Sequence, residues 1–310
     1  MTSSLIKKSA FIFLMALCLW PRIDTAMALA AGIVFSLIFI NPLPKMTSSL
    51  SKKLLQLSVV GLGFGIGIGP VLQEGKHSII YTIVTITFTL LLGALLGKFL
   101  KVSSKTSQLI SFGTAICGGS AIAALAPVIK AKHEEIAVSL ATIFTLNSVA
   151  LLLFPFIGHL LHLDQHAFGL WAALAIHDTS SVVGAGASYG ASALATATTV
   201  KLTRALWIAP IVLGYAFFRK TEEKASIPLF IIGFIIAAII RSLFPHAVPA
   251  WDALAFVARR LLVVTLFLIG AGLSRELLKQ VGVRPMMQGV TLWVIVSCTM
   301  LAAICGAVIR

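Results

Sequence analysis

Apolar runs of roughly twenty residues recur from one end of this chain to the other, and each is long enough to cross a hydrocarbon layer about 30 Å thick. They lie near 24–40, 53–69, 77–99, 106–130, 135–161, 166–189, 192–218, 227–244, 252–273 and 285–309. Inside lipid every backbone polar group must find a partner within the protein, so unbroken apolar runs of this length are built as helices. Composition agrees. Of 310 residues 59% are hydrophobic and 11% charged, with a mean hydropathy of +1.03, whereas soluble domains carry about 25% charged residues. The expectation is an all-α polytopic membrane protein with about 9–11 transmembrane segments, forming a single integral membrane domain over 1–310. The loops are too short to build a soluble domain.

The opening "MTSSLIKKSAFIFLMALCLW" has the lysines and short apolar centre of a signal peptide, but fits an uncleaved first helix as well. The helix is the expected outcome. The net charge of +14 comes from basic residues scattered between the spans, which suits retention of Lys and Arg in cytoplasmic loops better than nucleic-acid binding. A multi-pass protein of the bacterial inner membrane with a cytoplasmic N-terminus is expected. Cys18, Cys117, Cys298 and Cys305 sit in apolar runs without zinc-site spacing, and no metal or cofactor is anticipated. No HExxH motif occurs.

Internal repetition organises the rest. "AICGGSAIAALA" (115–126) aligns without gaps on "AIHDTSSVVGAG" (175–186), with Ser120 on Ser180. The helices that follow each carry a late proline, in "LLFPFIG" (152–158) and "WIAPIVLG" (207–214). "LLQLSVVGLGFGIGIG" (54–69) pairs likewise with "LLVVTLFLIGAGLS" (261–274). Two related halves follow, about 24–161 and 166–309. If every segment crosses, 54–69 and 261–274 run oppositely but 106–130 and 166–189 run the same way. If the latter two are re-entrant hairpins, every pair is antiparallel and the repeat is inverted. The hairpins also keep Lys130 and Lys132 on the side of Lys98, Lys101 and Lys105, with Lys220, Lys224, Arg275 and Lys279. Broken helices that cross are the alternative.

In either case two helices are interrupted, at Cys117-Gly118-Gly119-Ser120 and at His177-Asp178-Thr179-Ser180-Ser181. An interruption exposes unpaired amides at the positive end of the second half-helix. Ser120 and Ser180 or Ser181 are suited to cap them, and paired ends can hold a small anion. A packing kink made of small residues is the plainer explanation for either motif alone. Ionisable groups inside a membrane are functional candidates, and histidine beside aspartate suits proton coupling. A hydrogen-bonded pair that merely holds the break open is the structural alternative. Lys201 and Arg204 are three apart on the next helix, placed to neutralise Asp178, to bind an anion, or to snorkel. Asn147 lies at the corresponding depth of the matching helix.

The pieces "TAICGGSAIAALAPVIKA" (114–131), "AIHDTSSVVGAG" (175–186) and "KLTRALWIAP" (201–210) resemble the YeiH/YadS-type membrane proteins, the UPF0324 family also called sulfate exporters. The likeness extends over nearly the whole chain. Such proteins are similar in turn to sodium/proton antiporters and bile-acid symporters, which implies inverted repeats with interrupted helices. Family members commonly have Glu after the histidine and Gln three positions later; Asp178 and Ser181 stand here instead.

The functional expectation is a secondary active transporter, not an enzyme, that exports a small inorganic or organic anion such as sulfate. Cys117, Gly118, Gly119, Ser120, Thr179, Ser180, Ser181 and Arg204 are the expected substrate contacts. His177, Asp178, Lys201 and Asn147 are the expected coupling residues for H+ or Na+. The partners are the anion, the coupling ion and the bilayer, with a homodimer as the candidate assembly. A passive anion channel is one alternative, and an intramembrane enzyme using His177-Asp178 with Ser180 or Cys117 is the other.

Overall fold

The computed structural model describes residues 2–23, 25–39, 41–219, 229–272 and 282–306. Fourteen α-helices run in order among them: α1 (Thr2–Leu17), α2 (Thr25–Phe39), α3 (Pro44–Gly63), α4 (Ile68–Phe99), α5 (Ser104–Ala115), α6 (Gly119–Val128), α7 (His133–Leu160), α8 (Gln165–Ala175), α9 (Thr179–Tyr189), α10 (Ala191–Leu206), α11 (Ile208–Arg219), α12 (Leu229–Leu243), α13 (Val248–Ala271) and α14 (Val283–Cys305). No strand occurs among the described residues. Four stretches, Ile79–Phe99, His133–Leu160, Pro245–Ala271 and Val283–Cys305, are each long and apolar enough to span a bilayer, and three shorter apolar helices accompany them. Lys220, Lys224, Arg275 and Lys279 lie outside the described residues.

Where the sequence suggests one domain of two consecutive halves, packing forms two compact units, and each draws on both halves. The first comprises Met1–Gln73 and Pro228–Glu276, the second Glu74–Ile227 and Leu277–Arg310.

In the first unit α2 packs on α13, α3 on α13 and α12 on α3. Gly61 faces Ala258 and Gly65 faces Ala255, so α3 and α13 run antiparallel. The sequence repeat places Gly63 on Gly270, and their surroundings correspond. A Cβ on Gly63 would meet the Phe234 carbonyl oxygen of α12 at 2.5 Å, and one on Gly270 would meet the Leu29 carbonyl oxygen of α2. The next aligned pair, Phe64 and Ala271, also corresponds: Arg241 Nη1 donates to the Phe64 carbonyl at 2.6 Å, and Asn41 Nδ2 to the Ala271 carbonyl at 3.0 Å. Each half thus closes the helix end of the other, as an inverted repeat requires. α1 belongs to this unit, with the buried Phe11 ring 5.4 Å from Phe35 and 5.3 Å from Phe267.

Small residues let the backbones approach this closely. Gly63→Ala and Gly270→Ala are each expected to lower stability by about 1–3 kcal/mol through overpacking, read as the unfolding midpoint in detergent. Gly69, with nothing within 4 Å of an added Cβ, is the control; Gly69→Ala should leave the midpoint unchanged or raise it slightly.

The second unit contains the two interrupted segments, and both are hairpins. Lys105, at the start of α5, donates from Nζ to the Lys130 carbonyl just beyond α6 at 2.6 Å. The arms therefore begin and end together, and Gly113 packs against Ile122 between them. In the second hairpin the Gln165 carboxamide oxygen, at the start of α8, accepts from the Ser192 amide at 2.9 Å. Tyr189, at the end of α9, donates to the Leu163 carbonyl at 2.6 Å and stacks on Phe168. The re-entrant alternative is the one observed, and Lys130 lies beside Lys105 as it requires.

α7 joins the two hairpin bases and sets their arrangement. Its 28 residues rise about 42 Å at 1.5 Å each, and residues at its two ends adjoin the two bases, through Ser103 to Glu135 at 3.3 Å and through the stack of His159 on Tyr189. The hairpins therefore enter from opposite ends of this unit. α10 lies along both arms of the second hairpin and gives way at Trp207 to α11. Pro210, four residues after Leu206, cannot donate to that carbonyl and crowds it, which explains the break. Gln288 of α14, buried in the apolar seam, donates to the Gly93 carbonyl at 3.0 Å and the Ser107 hydroxyl at 2.8 Å, holding α4, α5 and α14 together.

Candidate functional site

The two interruptions fall in the same register. α5 and α8 end at Ala115 and Ala175, and α6 and α9 start at Gly119 and Thr179, four aligned positions. Glycine and polar residues interrupt an otherwise apolar helix at both places, giving the backbone freedom and local competitors for its hydrogen bonds. Gly118 takes φ +66 and ψ −124, open to glycine alone among common residues.

The tips meet. A Cβ on Gly118 would lie 3.1 Å from Asp178 Cβ and 3.2 Å from its Oδ1. Asn147, near the midpoint of α7, accepts the Asp178 amide hydrogen at 3.0 Å, so the meeting point sits at about half the length of that helix.

Fixed charges complement the helix ends. Arg204 is fully buried; Nε donates to the Ala115 carbonyl that ends α5 at 2.7 Å, and Nη1 to the Leu174 carbonyl near the end of α8 at 2.7 Å. Lys201, equally buried, donates to the Ile176 carbonyl at 2.6 Å and to Ala173 at 3.3 Å. Two cations thus satisfy the negative ends of both first half-helices, and Asp178 occupies the positive end of α9. Neither cation forms an ion pair with Asp178 among the described residues, and neither snorkels.

Several expectations are corrected at the level of single groups. The serines are not the caps. Gly118 and Asp178 hold the N-cap positions. Asp178 Oδ2 accepts from the Ser180 amide at 3.1 Å and from the Ser180 hydroxyl. Ser120 and Ser180 are the second residues of their helices, past the position from which a side chain reaches the free amides. Ser120 is exposed, Gly119 partly so, and Thr179 and Ser181 are buried in the first turn of α9. The hydrogen-bonded His177–Asp178 pair does not form. His177 is fully buried with both ring nitrogens unpartnered, its ring centroid 6.3 Å from that of Trp293. It makes no hydrogen bond to Ser180 or Cys117, and Cys117 faces the Ala121 amide.

Unpartnered polar atoms gather in this unit. Asn147 Nδ2, Arg204 Nη2, Thr198 Oγ1, Trp293 Nε1 and Ser297 Oγ are buried without hydrogen-bond partners among the described residues, as are the His177 nitrogens. Such groups are rare in folded proteins and call for a missing partner. Trp293, Ser297 and Gln288 on α14 escaped the sequence reading. Gln288, a lone amide within an apolar run, was the one signal that pointed to that helix. No group of three or more His, Cys, Asp or Glu placed to hold a metal occurs among the described residues.

A chain of apolar helices carrying two opposed hairpins with buried fixed charges is an all-α polytopic membrane protein. The chain belongs to the family described as conserved hypothetical protein 698, whose model matches residues 10–289. It is 59% identical over 304 residues to a UPF0324 membrane protein of Geobacter sulfurreducens, covering 98% of each chain. It is also 51% identical over 314 residues to one of Bdellovibrio bacteriovorus, covering 99% of this chain and 97% of the relative. A Vibrio vulnificus member is 47% identical over 302 residues, covering 96% and 97%. No solved structure matches the chain.

Proposed function

We propose that the protein is a secondary active transporter of a small anion in the bacterial inner membrane, with its N-terminus cytoplasmic, exporting sulfate or a related oxyanion in exchange with or alongside H+ or Na+. The observation that carries this reading is the contact of Gly118 with Asp178. It brings two half-helix N-termini together, where amides without helical partners and two positive dipole ends favour an anion. Gly118, Gly119 and Ser120 line one side and Thr179, Ser180 and Ser181 the other. Cys117 closes the first tip. Arg204 Nη2 and Asn147 Nδ2 are donors with no protein partner. Lys201 and Arg204 hold the two hairpins in register, and Asp178 carries the coupling.

The test is a thermal-shift screen of the purified protein against sulfate, sulfite, alkyl sulfonates and carboxylates, with and without sodium, at two pH values. A ligand that binds only the folded state stabilises it by mass action, so at least one oxyanion is expected to raise the unfolding midpoint in a saturable way. A flat response to every anion under all conditions overturns the proposal.

A further inference from the structure

We infer that the Asp178 carboxylate stands at the edge of the anion position as a built-in electrostatic competitor, so that an anion binds beside it only when a proton neutralises it. This rests on the anion reading above and adds the identity and stoichiometry of the coupling ion.

The geometry leaves little room for both charges. The Asp178 side chain caps α9 through Ser180 and lies against Gly118 at the start of α6, setting its charge beside the space the paired N-termini offer. A second independent observation points to a ligand at the same place. Asn147 is 3% exposed, its Oδ1 is fixed on the Asp178 amide, and its Nδ2 has no partner. An amide hydrogen donor held at the break with nothing to donate to suits an acceptor that the free structure does not supply.

Two negative groups at contact distance cannot both remain ionised. An oxyanion arriving at these amides would face the Asp178 carboxylate, and moving that side chain away would break its bonds to Ser180. Protonation of one carboxylate oxygen removes the conflict while the side chain stays in place. One proton therefore enters with each anion and leaves with it. Asp178 is only half-buried and Ser120 beside the break is exposed.

Other groups that face Asp178 are accounted for. Cys117 of the first hairpin faces the Ala121 amide. Lys201 and Arg204 of α10 are held by carbonyls, and α7 presents the neutral Asn147. His177 is the rival titrating group, since it is buried next to Asp178 with both nitrogens free.

The experiment measures sulfate and sulfite binding by thermal shift and by titration calorimetry between about pH 5 and pH 9, with proton uptake followed in weak buffer. The sign is fixed by linkage: affinity is full where Asp178 is protonated and falls as pH rises, approaching about tenfold per pH unit for one coupled proton. Asp178→Asn, which keeps the shape without the charge, is expected to bind with pH-independent affinity and no proton uptake. His177→Asn is expected to keep the pH dependence of the natural chain. If Asp178→Asn fails to fold, the slope and proton count of the natural chain together with His177→Asn decide. Anion binding that is independent of pH, or that loses its pH dependence only in His177→Asn, overturns the inference while leaving the anion reading intact. Absence of any anion response overturns both.

Discussion

Arg204→Ala is expected to lose about 3–5 kcal/mol of stability before any ligand is added, seen as a large drop in the detergent unfolding midpoint. The guanidinium satisfies one carbonyl in each hairpin, Ala115 and Leu174. Hydrogen bonds to a charged donor contribute about 1.5–3 kcal/mol each, and truncation leaves both oxygens buried without a partner. Arg204→Lys should restore only part of the loss, because one ammonium cannot reproduce the spread of Nε and Nη1 across two segments. A residue that served the substrate alone would behave differently: stability without ligand would be unchanged and only the anion response would vanish. Full ligand-free stability in Arg204→Ala would therefore remove the clamp role. Loss of the anion response in that variant informs on binding only if its fold is intact.

Gly118→Ala is expected to damage the second unit through two strains at once. Its backbone region costs an ordinary residue about 1–3 kcal/mol, and the new Cβ would press on Asp178 at 3.1 Å. Neither strain can relax without parting the tips, so both the stability and the anion-induced shift should fall sharply. Gly119→Ala is the matched control. Its Cβ would meet the ring end of Phe144 at 3.0 Å, and that ring is exposed and free to turn, so an effect below about 1 kcal/mol is expected. Equal behaviour of the two variants would mean that the Gly118–Asp178 contact does not hold the crossing together.

The interruptions were readable from sequence to within one to three residues, because each replaces apolar side chains with glycine or polar groups in a helix that otherwise has no reason to stop. Their aligned positions also revealed the repeat, and only hairpins reconciled its direction with the other matched pair. The hydrogen-bond partners were not readable. Lys201 and Arg204 look like substrate ligands in a linear chain, since the carbonyls that receive them, at 115, 174 and 176, are marked by no side chain. The assignment of serine caps failed by two positions, a displacement smaller than sequence patterns resolve. His177 and Asp178 are neighbours in the chain but serve different surroundings, because the backbone turns between them. The regrouping of the two halves into two units was equally hidden: whether α2 packs on α3 or on α13 depends on close approaches such as Gly270 to Leu29, which hydropathy does not encode.

The opposed hairpins have a consequence for voltage. α5 has 12 residues and rises about 18 Å, less than half of α7, so a charge reaching the tips from either face has traversed about half the depth of the unit. Moving one elementary charge through 100 mV changes its energy by about 2.3 kcal/mol; at the tips it has crossed about half of that drop. Arrival and departure would then be about equally sensitive to the membrane potential, and neither step alone would carry the whole electrical work.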